Sequence, residues 1–397
     1  MKDHGVLIVG GGLAAQRCAE TLRRRGYDGP VRMVCAESCP PYDRPPLSKE
    51  LLAGDATEET VSYRPAWWYE EKQVELLLGR RAESLDPASR TVRLDSGAEL
   101  GYDNLLIATG GSARKLPFLA GFENVHSLRT LEDARRLRGE LQPGARLAVV
   151  GAGFIGQEVA ATARRLGAEV TMVEALATPL APILGPELGR WFAELHAEEG
   201  VDVLAGATLA SGSGCEGRLE RLALADGRTI ECDAAVVGVG TLPATEWLRG
   251  SGLGEKGVPT DPACRTEIPG VFAAGDASVP FDPRFGVHAR TEHWDAAAWQ
   301  GAAAAKAMLG EEPGVPPLPS FWSDQYGLRV QYVGHAREAD AVAIEGSPAD
   351  RDFEAIFSRG GVPVAGLTVS RPRAIPGIRK RIEAGHRSVQ RDDEEAA

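Results

Sequence analysis

The amino-acid sequence predicts an α/β protein with two doubly wound domains and a small α+β domain at the C-terminal end. Three observations support this prediction. A glycine-rich turn joins a buried strand to a helix near the start of the chain, the same arrangement returns in the middle, and a strand-rich segment follows a proline-rich stretch. At 397 residues the chain is also too long for one compact core, so two or three domains are expected.

The first glycine-rich turn follows the apolar residues 6–9 and precedes a helix-forming segment. Gly10 permits a tight turn, Gly12 lets the backbone approach a pyrophosphate, and Ala15 occupies the third position of the pattern G-x-G-x-x-G/A. The next strand ends in Glu37, where the pattern places an acid that accepts hydrogen bonds from a ribose. These features predict a Rossmann-like dinucleotide-binding domain.

The same pattern returns after the apolar strand at residues 146–150. Gly151, Gly153 and Gly156 form a full G-x-G-x-x-G, and a second strand again ends in an acid, Glu174. Two complete units in one chain predict two bound dinucleotides.

Glu174 also predicts which nicotinamide nucleotide binds the second unit. A 2′-phosphate about 4 Å from a carboxylate is destabilised by about 1 to 4 kcal/mol per charge pair. Residues 175–184 contain no Lys or Arg that would offset this repulsion. We therefore expect NADH rather than NADPH.

Composition argues against several classes of function. The formal net charge of −12 and the pI near 5.2 argue against nucleic acid as a partner. The sequence shows no secretory leader and no apolar run of about 18 residues, so we expect a cytoplasmic protein without a membrane partner. The six cysteines occur singly, without paired spacing, and no bound metal is expected.

Two further segments carry candidate binding residues. The proline-rich segment 39–49 is predicted to be a stiff loop, from which Arg44 and Lys49 can point into a site. Another buried strand ends in Thr109 and Gly110, which are small enough for the backbone to lie close to a ligand. A purely structural loop is the alternative for residues 39–49.

The last third of the chain contains another short apolar strand, which ends in Gly275 and Asp276. An Asp at that position can accept a hydrogen bond from a hydroxylated ligand chain. Residues 292–307 predict an Ala-rich helix and residues 311–319, with four prolines, a linker. The final segment shows four strand-like runs and predicts the α+β domain: 328–333, 341–345, 353–358 and 362–369.

A basic cluster lies near the C-terminal end, with only Glu383 opposing it. A solvated face and a docking surface are both compatible with this pattern. The members of the basic cluster are Arg371, Arg373, Arg379, Lys380, Arg381, Arg387 and Arg391.

At this point the whole chain resembles a known family, the FAD-dependent, NADH-oxidising ferredoxin reductases of Rieske oxygenase and cytochrome P450 systems (putidaredoxin reductase and biphenyl dioxygenase ferredoxin reductase). PPYDRPPLSK and FWSDQYG are the specific motifs. The motifs shared with the wider two-dinucleotide flavoprotein group are VLIVGGGLAA, LLIATGG, VVGAGFIGQEVA, GVFAAGD and EHWDAA.

The resemblance implies a glutathione reductase-like fold with a discontinuous first domain. Residues 1–111 and 240–312 would bind FAD, residues 112–239 would bind NADH, and residues 313–397 would form the C-terminal α+β domain.

The resemblance also implies roles for individual residues. Lys49 and Glu158 would form a catalytic pair near flavin N5. The FAD ligands would include Gly10, Gly12, Glu37, Arg44, Lys49 and Asp276, and the NADH ligands Gly151, Gly153, Gly156 and Glu174. Further cofactor-binding candidates are Ala15, Thr109, Gly110, Arg114, Gly275, Trp294 and Trp322.

The implied reaction is hydride transfer from NADH to FAD, followed by transfer of single electrons to a [2Fe-2S] ferredoxin or a rubredoxin that feeds an oxygenase or P450. The basic cluster with Arg290 would be the docking surface. Trp294 and Trp322 would form walls of the flavin site, with core packing as their alternative.

Two other functions are compatible with the same pair of fingerprints. One is a thiol-based NADH oxidase, peroxidase or disulfide reductase, which needs a reactive cysteine in the neighbourhood that Lys49 occupies; Cys35 and Cys39 lie earlier and have the wrong spacing. The other is a signalling flavoprotein resembling apoptosis-inducing factor.

Overall fold

The computed structural model describes residues 4–284, 286–337 and 339–396, with side chains described through residue 385. The α-helices are α1 Leu13–Arg24, α2 Glu50–Ala53, α3 Glu58–Val61, α4 Ala66–Glu71, α5 Leu131–Glu140, α6 Phe154–Arg165, α7 Ala181–Glu198, α8 Trp294–Met308 and α9 Ile375–Ala396. Short 3₁₀ helices are formed by Pro45–Ser48, Pro117–Leu119, Glu246–Leu248 and Gly275–Ala277.

The strands of the first half are β1 Val6–Val9, β2 Val31–Cys35, β3 Val74–Leu78, β4 Ala82–Asp86, β5 Thr91–Leu94, β6 Glu99–Gly101, β7 Asn104–Ile107, β8 Gly111–Ala113, β9 Val125–His126, β10 Arg146–Val150, β11 Glu169–Glu174 and β12 Val201–Ala205. Those of the second half are β13 Leu209–Cys215, β14 Arg218–Leu224, β15 Thr229–Glu231, β16 Ala234–Val237, β17 Thr241–Pro243, β18 Val258–Thr260, β19 Val271–Ala273, β20 Ser278–Asp282, β21 Val287–His288, β22 Ser320–Gln325, β23 Leu328–Gly334, β24 Ala341–Ser347, β25 Asp352–Arg359 and β26 Val362–Val369.

The chain divides into two compact units. Unit 1 comprises Met1–Asp43, Glu58–Ser112 and Leu242–Pro319, and unit 2 comprises Arg44–Thr57, Ala113–Thr241 and Ser320–Ala397. The predicted division into FAD, NADH and C-terminal domains stays a prediction.

Unit 1 is built on a parallel sheet with the strand order β19-β7-β1-β2-β3. Apart from Arg32 and Asn104, the residues of β1, β2 and β7 are apolar and buried, because both faces of such a sheet are covered. The Ala-rich α8 packs against α1 so closely that a Cβ at Gly301 would lie 2.1 Å from the Ala14 carbonyl oxygen. The small side chains of α8 therefore serve close helix packing.

Unit 2 has its own parallel sheet, with the order β12-β11-β10-β16-β9. It also contains the C-terminal segment, where β22-β23-β26-β25-β24 form an antiparallel sheet. The core of this sheet is shared with α7 through Leu188, Phe192 and Leu195.

Most predicted elements are confirmed. The four strand-like runs of the C-terminal segment form β23 to β26, residues 311–319 run as irregular chain, and α8 begins at Trp294 and not at residue 292.

Within the described ranges, none of the helices combines the length and the apolar character that crossing a bilayer requires.

Candidate functional site

The first glycine-rich turn joins β1 to α1 as predicted. Gly10 has φ 139°, and a Cβ there would lie 2.0 Å from the Ala108 carbonyl oxygen, so only glycine fits. Gly12 is the N-cap of α1, and a Cβ there would meet no described atom within 4 Å. Ala15 is fully buried in the core of unit 1. The turn therefore has an open face at Gly12 and a closed face at Gly10.

The N-terminus of α1 receives no capping hydrogen bond from a side chain of the described residues. The first N–H groups of a helix lack intrahelical acceptors and carry the positive end of the helix dipole. Beside the open face at Gly12, these groups fit the pyrophosphate of a dinucleotide.

Glu37 lies just after β2, at the same edge of the sheet. The Tyr42 hydroxyl donates a hydrogen bond of 2.6 Å to Glu37 Oε2. Tyr42 is buried whereas Glu37 is half-buried. A buried donor thus holds a partly accessible carboxylate beside the first glycine-rich turn, as a ribose-binding acid requires.

The second glycine-rich turn, between β10 and α6, is closed in two places. Gly151 has φ 98°, and a Cβ there would lie 2.5 Å from the Gly238 carbonyl oxygen. A Cβ at Gly156 would lie 2.1 Å from the Gly151 carbonyl oxygen. At the N-cap Gly153, by contrast, no atom of the described part of the chain lies within 4 Å of a built Cβ, and no described side chain caps α6.

Glu174 at the end of β11 is held by backbone groups on both carboxylate oxygens. Ala152 N–H donates to Oε2 at 2.9 Å, and Leu176 N–H donates to Oε1 at 2.8 Å. The negative charge is therefore fixed beside the second glycine-rich turn.

Two exposed apolar side chains flank this second turn and were missed in the sequence. Ile155 is 50% exposed and Leu176 is 45% exposed. Exposed apolar side chains beside a polar cradle suit the aromatic rings of a dinucleotide. The signal that could have found them is their position, since Ile155 is the second residue of α6 and Leu176 follows Glu174 by two residues.

The most buried polar group of the candidate site is the Lys49–Glu158 pair, in unit 2. The 3₁₀ helix Pro45–Ser48 delivers Ser48 and Lys49, and Glu158 lies on α6. Lys49 Nζ is 2.9 Å from Glu158 Oε2, and the two side chains are 11% and 3% exposed. The Ser48 hydroxyl donates to the same oxygen, and Ser323 Oγ donates to Oε1 at 2.7 Å.

These contacts satisfy the charge that burial would otherwise penalise. An isolated buried carboxylate is strongly unfavourable, whereas here two hydroxyl donors and an ammonium group compensate both oxygens. The Thr162 hydroxyl in turn donates to the Ser48 carbonyl oxygen at 2.7 Å, which holds the 3₁₀ helix against α6. Removing either Lys49 or Glu158 would leave the charge of the other buried without its ion-pair partner.

Arg44 is anchored within unit 2. Its guanidinium donates to the Arg129 carbonyl oxygen, just before α5. There Thr130 and Asp133 form a reciprocal capping box at the helix N-terminus. Unlike α1 and α6, α5 therefore has its N-terminal groups satisfied by its own side chains.

The remaining candidates in unit 1 are also anchored. Thr109 Oγ1 donates to the Ala244 carbonyl oxygen at 2.7 Å, and Gly275 N–H donates to Gln300 Oε1 at 2.6 Å. Gly110 and Gly275 have φ of 71° and 72°, which favours glycine. Asp276 follows Gly275 in its 3₁₀ helix and is half-buried.

The two tryptophan candidates are half-buried. Trp294 Nε1 donates to Asp43 Oδ1 at 2.7 Å, within unit 1. Trp322 lies on β22, and the Arg329 guanidinium carbon is 5.4 Å from its ring centroid. Arg114 is exposed, and its backbone N–H donates to the Gly240 carbonyl oxygen.

The basic cluster is partly neutralised. Arg371 forms an ion pair with Asp352, and Arg290 forms one with Glu292. Arg379 donates to Ser320 Oγ at 3.2 Å. The exposed members are Arg373, Lys380 and Arg381, and the side chains of Arg387 and Arg391 lie outside the described residues.

The cysteines are free thiols. Burial is the main cause that raises the pKa of Cys35 to about 12, that of Cys264 to about 12 and that of Cys232 to about 11. A nucleophilic cysteine needs the thiolate form. The burial of Cys35 therefore argues against the thiol-based alternative at this position.

Two glycine-rich turns with open, uncapped helix N-termini and adjacent carboxylates define a two-dinucleotide oxidoreductase. The chain belongs to the pyridine nucleotide-disulphide oxidoreductase family, whose model matches residues 4–301, and a Reductase C-terminal model matches residues 320–395. FAD and NAD(H) are the cofactors of this family.

Relatives match almost the whole length. The ferredoxin–NAD(+) reductase component of the anthranilate 1,2-dioxygenase system of Burkholderia cepacia is 39% identical over 97% of this chain and 95% of its own. The corresponding component of the biphenyl dioxygenase system of Paraburkholderia xenovorans is 38% identical over 86% and 83%. The crystal structure of the covalent putidaredoxin reductase–putidaredoxin complex matches with a TM-score of 0.93, 32% identity and coverage of 96% and 93%.

Proposed function

We propose that the protein is an NADH:ferredoxin oxidoreductase, an FAD flavoprotein that supplies electrons to a [2Fe-2S] ferredoxin or a rubredoxin serving an oxygenase or a P450. The observation that carries this proposal is the pair of uncapped helix N-termini, each with an open N-cap glycine and a carboxylate at the end of the neighbouring strand. Full-length relatives named as ferredoxin–NAD(+) reductase components support the choice of acceptor.

Bound FAD would supply the chemistry that links a two-electron hydride donor to a one-electron acceptor. The chain's own residues bind and align. In unit 1, the N-terminus of α1 at Gly12 binds the FAD pyrophosphate, Glu37 accepts from the adenosine ribose and Asp276 accepts from the ribityl chain. The resemblance implies that Arg44 and Lys49, which belong to unit 2, bind the flavin half of FAD.

In unit 2, the N-terminus of α6 at Gly153 binds the pyrophosphate of NADH, and Glu174 accepts from its adenosine ribose. Both Glu174 oxygens accept hydrogen bonds from backbone N–H groups, which restrict the movement of the carboxylate. The repulsion of about 1 to 4 kcal/mol per charge pair therefore persists, which supports NADH over NADPH.

The Lys49–Glu158 pair is proposed to lie near flavin N5. A lysine neutralised by a buried carboxylate presents a fixed hydrogen-bond donor without a net local charge. Such a pair aligns a nicotinamide with the flavin without an electrostatic penalty. Its loss is expected to slow flavin reduction more than it weakens NADH binding.

The docking surface for the acidic ferredoxin is proposed to include the exposed residues of the basic cluster, Arg373, Lys380 and Arg381. If this surface steers association, ferredoxin reduction falls steeply with salt because exposed charges are screened. Reduction of a small neutral acceptor stays constant in the same salt series. Equal salt dependence for both acceptors would contradict the assignment.

A cytoplasmic location is part of the proposal, because free thiols persist in a reducing compartment. Fractionation of the native host would test it, and recovery from an extracytoplasmic fraction would contradict it.

The deciding experiment is anaerobic stopped-flow. The FAD-loaded protein is mixed with one equivalent of NADH and then with a [2Fe-2S] ferredoxin. Fast bleaching of the flavin followed by fast ferredoxin reduction is expected. Fast bleaching without transfer to a panel of ferredoxins and rubredoxins would instead favour a signalling flavoprotein.

A further inference from the structure

A continuous set of hydrogen bonds connects Glu158 to Tyr326 inside unit 2. Ser323 Oγ is 2.7 Å from Glu158 Oε1, and Gln325 Nε2 is 3.0 Å from Ser323 Oγ. His196 Nε2 is 3.1 Å from Gln325 Oε1, and the Tyr326 hydroxyl is 2.7 Å from His196 Nδ1. We call Ser323, Gln325, His196 and Tyr326 the Glu158 chain.

Three elements that are remote in sequence carry Glu158 and the buried members of the Glu158 chain. Glu158 lies on α6, His196 on α7, and Ser323 and Gln325 on β22. Ser323 and His196 are fully buried, and Gln325 is 2% exposed. Burying a polar side chain is unfavourable unless it makes hydrogen bonds. Here Ser323, Gln325 and His196 each make two.

The hydrogen-bond inventory fixes the direction of this chain. The Gln325 amide nitrogen donates to Ser323, so its carbonyl oxygen faces His196 and can only accept. His196 Nε2 must then carry the proton. Burial lowers the pKa of His196 to about 4, so the ring is neutral, Nδ1 accepts, and Tyr326 donates. Every donor points towards the Glu158 carboxylate.

Tyr326 provides an independent observation. It has φ 52°, and the next residue, Gly327, has φ 76°, in the two-residue connection between β22 and β23. Two positive φ values define a turn in which Asn, Asp or Gly normally precedes Gly. A bulky aromatic residue is strained there, and such outliers mark sites where the side chain is needed. The hydroxyl that reaches His196 is a specific reason for tyrosine.

We infer that Ser323, Gln325, His196 and Tyr326 are positioning residues for the Lys49–Glu158 pair. Their one-way donors hold Glu158 Oε1, which leaves Oε2 in a fixed orientation towards Ser48 and Lys49. The inference rests on the proposed function of that pair in flavin reduction.

Lys49 and Tyr326, the two ends of the arrangement, line one cavity of about 450 Å³. The same cavity wall includes Asp55, Arg165 and Asp324, and Arg165 is paired with Asp55 at 2.6 Å. A small amine-reactive reagent can therefore approach Lys49 from this side. The strength of the pairing between Lys49 and Glu158 then becomes measurable without following the flavin.

The test compares Ser323→Ala with Ser323→Thr, which restores the hydroxyl. Thr368→Val is the matched control, because Thr368 is fully buried on β26 of the same sheet and its hydroxyl has no hydrogen-bond partner among the described residues. In the FAD-loaded protein, amine labelling of Lys49 is quantified by mass spectrometry, and flavin reduction by NADH is followed in single turnovers.

We expect Ser323→Ala to raise the labelling rate of Lys49 and to lower the limiting rate of flavin reduction roughly tenfold, the size of one hydrogen bond to a buried charge. The apparent Kd for NADH stays unchanged, and Ser323→Thr recovers both properties. Labelling and reduction rates in Ser323→Ala equal to those in Thr368→Val would overturn the inference.

The direction of the hydrogen bonds in the Glu158 chain has its own test. The ¹⁵N NMR signals of the His196 ring are recorded at neutral pH and are assigned by their absence from His196→Gln. The Nε2–H tautomer is expected, and the Nδ1–H tautomer would overturn the inference because Tyr326 would then accept. A wild-type protein whose flavin NADH cannot reduce would refute the proposed function, while labelling and tautomer would still decide whether Glu158 is positioned by this chain.

Discussion

The two glycine-rich turns share a sequence pattern but differ at its third glycine position. In unit 2 the close approach lies within the turn, where a Cβ at Gly156 would lie 2.1 Å from the Gly151 carbonyl oxygen. In unit 1 the same position is Ala15, which is fully buried, and the neighbouring Ala14 instead contacts α8, where a Cβ at Gly301 would lie 2.1 Å from the Ala14 carbonyl oxygen. Glycine is thus required by a particular backbone contact rather than by the pattern itself.

The carboxylates beside the two turns are also held by different kinds of donor. Glu174 is held by two backbone N–H groups, whereas Glu37 accepts from a tyrosine side chain. A backbone clamp leaves a carboxylate less freedom than a side-chain donor does. We therefore expect the site beside Glu174 in unit 2 to discriminate more strongly between nucleotides than the site beside Glu37 in unit 1.

The largest expected effect is the difference in cofactor binding between the variants Gly156→Ala and Ala15→Gly. An added methyl group at Gly156 must displace a backbone oxygen, so NADH affinity should fall more than about tenfold, equivalent to over 1.4 kcal/mol. Ala15→Gly should cost only about 1 kcal/mol of helix propensity and retain FAD. NADH titration and the FAD content of both purified variants measure this, and equal NADH affinities would break the comparison.

The next effect concerns nucleotide choice. Glu174→Gln removes the fixed charge and should recover about 1 to 4 kcal/mol of NADPH binding relative to NADH. Glu37→Gln is the matched control, which should lower FAD retention and leave the NADH to NADPH ratio unchanged. Ratios of kcat/KM for the two nucleotides provide the measurement, and an unchanged ratio in Glu174→Gln would contradict the role of the clamp.

The third effect is pH-dependent and belongs to unit 2. Burial lowers the pKa of His196 from 6.5 to about 4, so the unfolded chain binds the extra proton first as the pH falls. The stability that the protein has with a neutral His196 is fully present above pH 6.5 and is lost as the pH falls towards 4. Between pH 7 and pH 5 it should cost about 2 kcal/mol. Urea unfolding of wild type and His196→Gln checks this, since the variant should lose that much less.

The smallest effect concerns the capped helix α5. Thr130→Ala removes the capping hydrogen bond to Asp133 and should lower the free energy of unfolding by about 1 kcal/mol. Cofactor binding should not change, because α5 already satisfies its own N-terminus. A loss of FAD or NADH affinity beyond the stability change would show that α5 takes part in a cofactor site.

The sequence predicts both turns because the glycines, the helix and the acid of each unit are contiguous. It does not predict α7, where Gly185 and Pro186 interrupt the helical pattern, or β22, which follows four prolines. The Lys49–Glu158 pair emerges from resemblance and not from spacing.

The other partners of Glu158 escape sequence reasoning for a physical reason. Ser323 and Glu158 lie 165 positions apart, and only the folded sheet brings the hydroxyl to α6. A buried serine or histidine in a single sequence looks like any small or polar core residue. Their roles depend on hydrogen-bond direction, which requires coordinates.

The interruption of α7 also has a mechanical consequence. Gly185, at φ 76° and ψ 170°, joins a short first piece to the longer piece that begins at Pro186. A continuous helix behaves as a stiff rod, but a residue with positive φ and non-helical ψ followed by proline interrupts it. A displacement of the first piece, which carries the 40% exposed Ile183, is therefore transmitted to His196 on the second piece less directly than through a continuous helix.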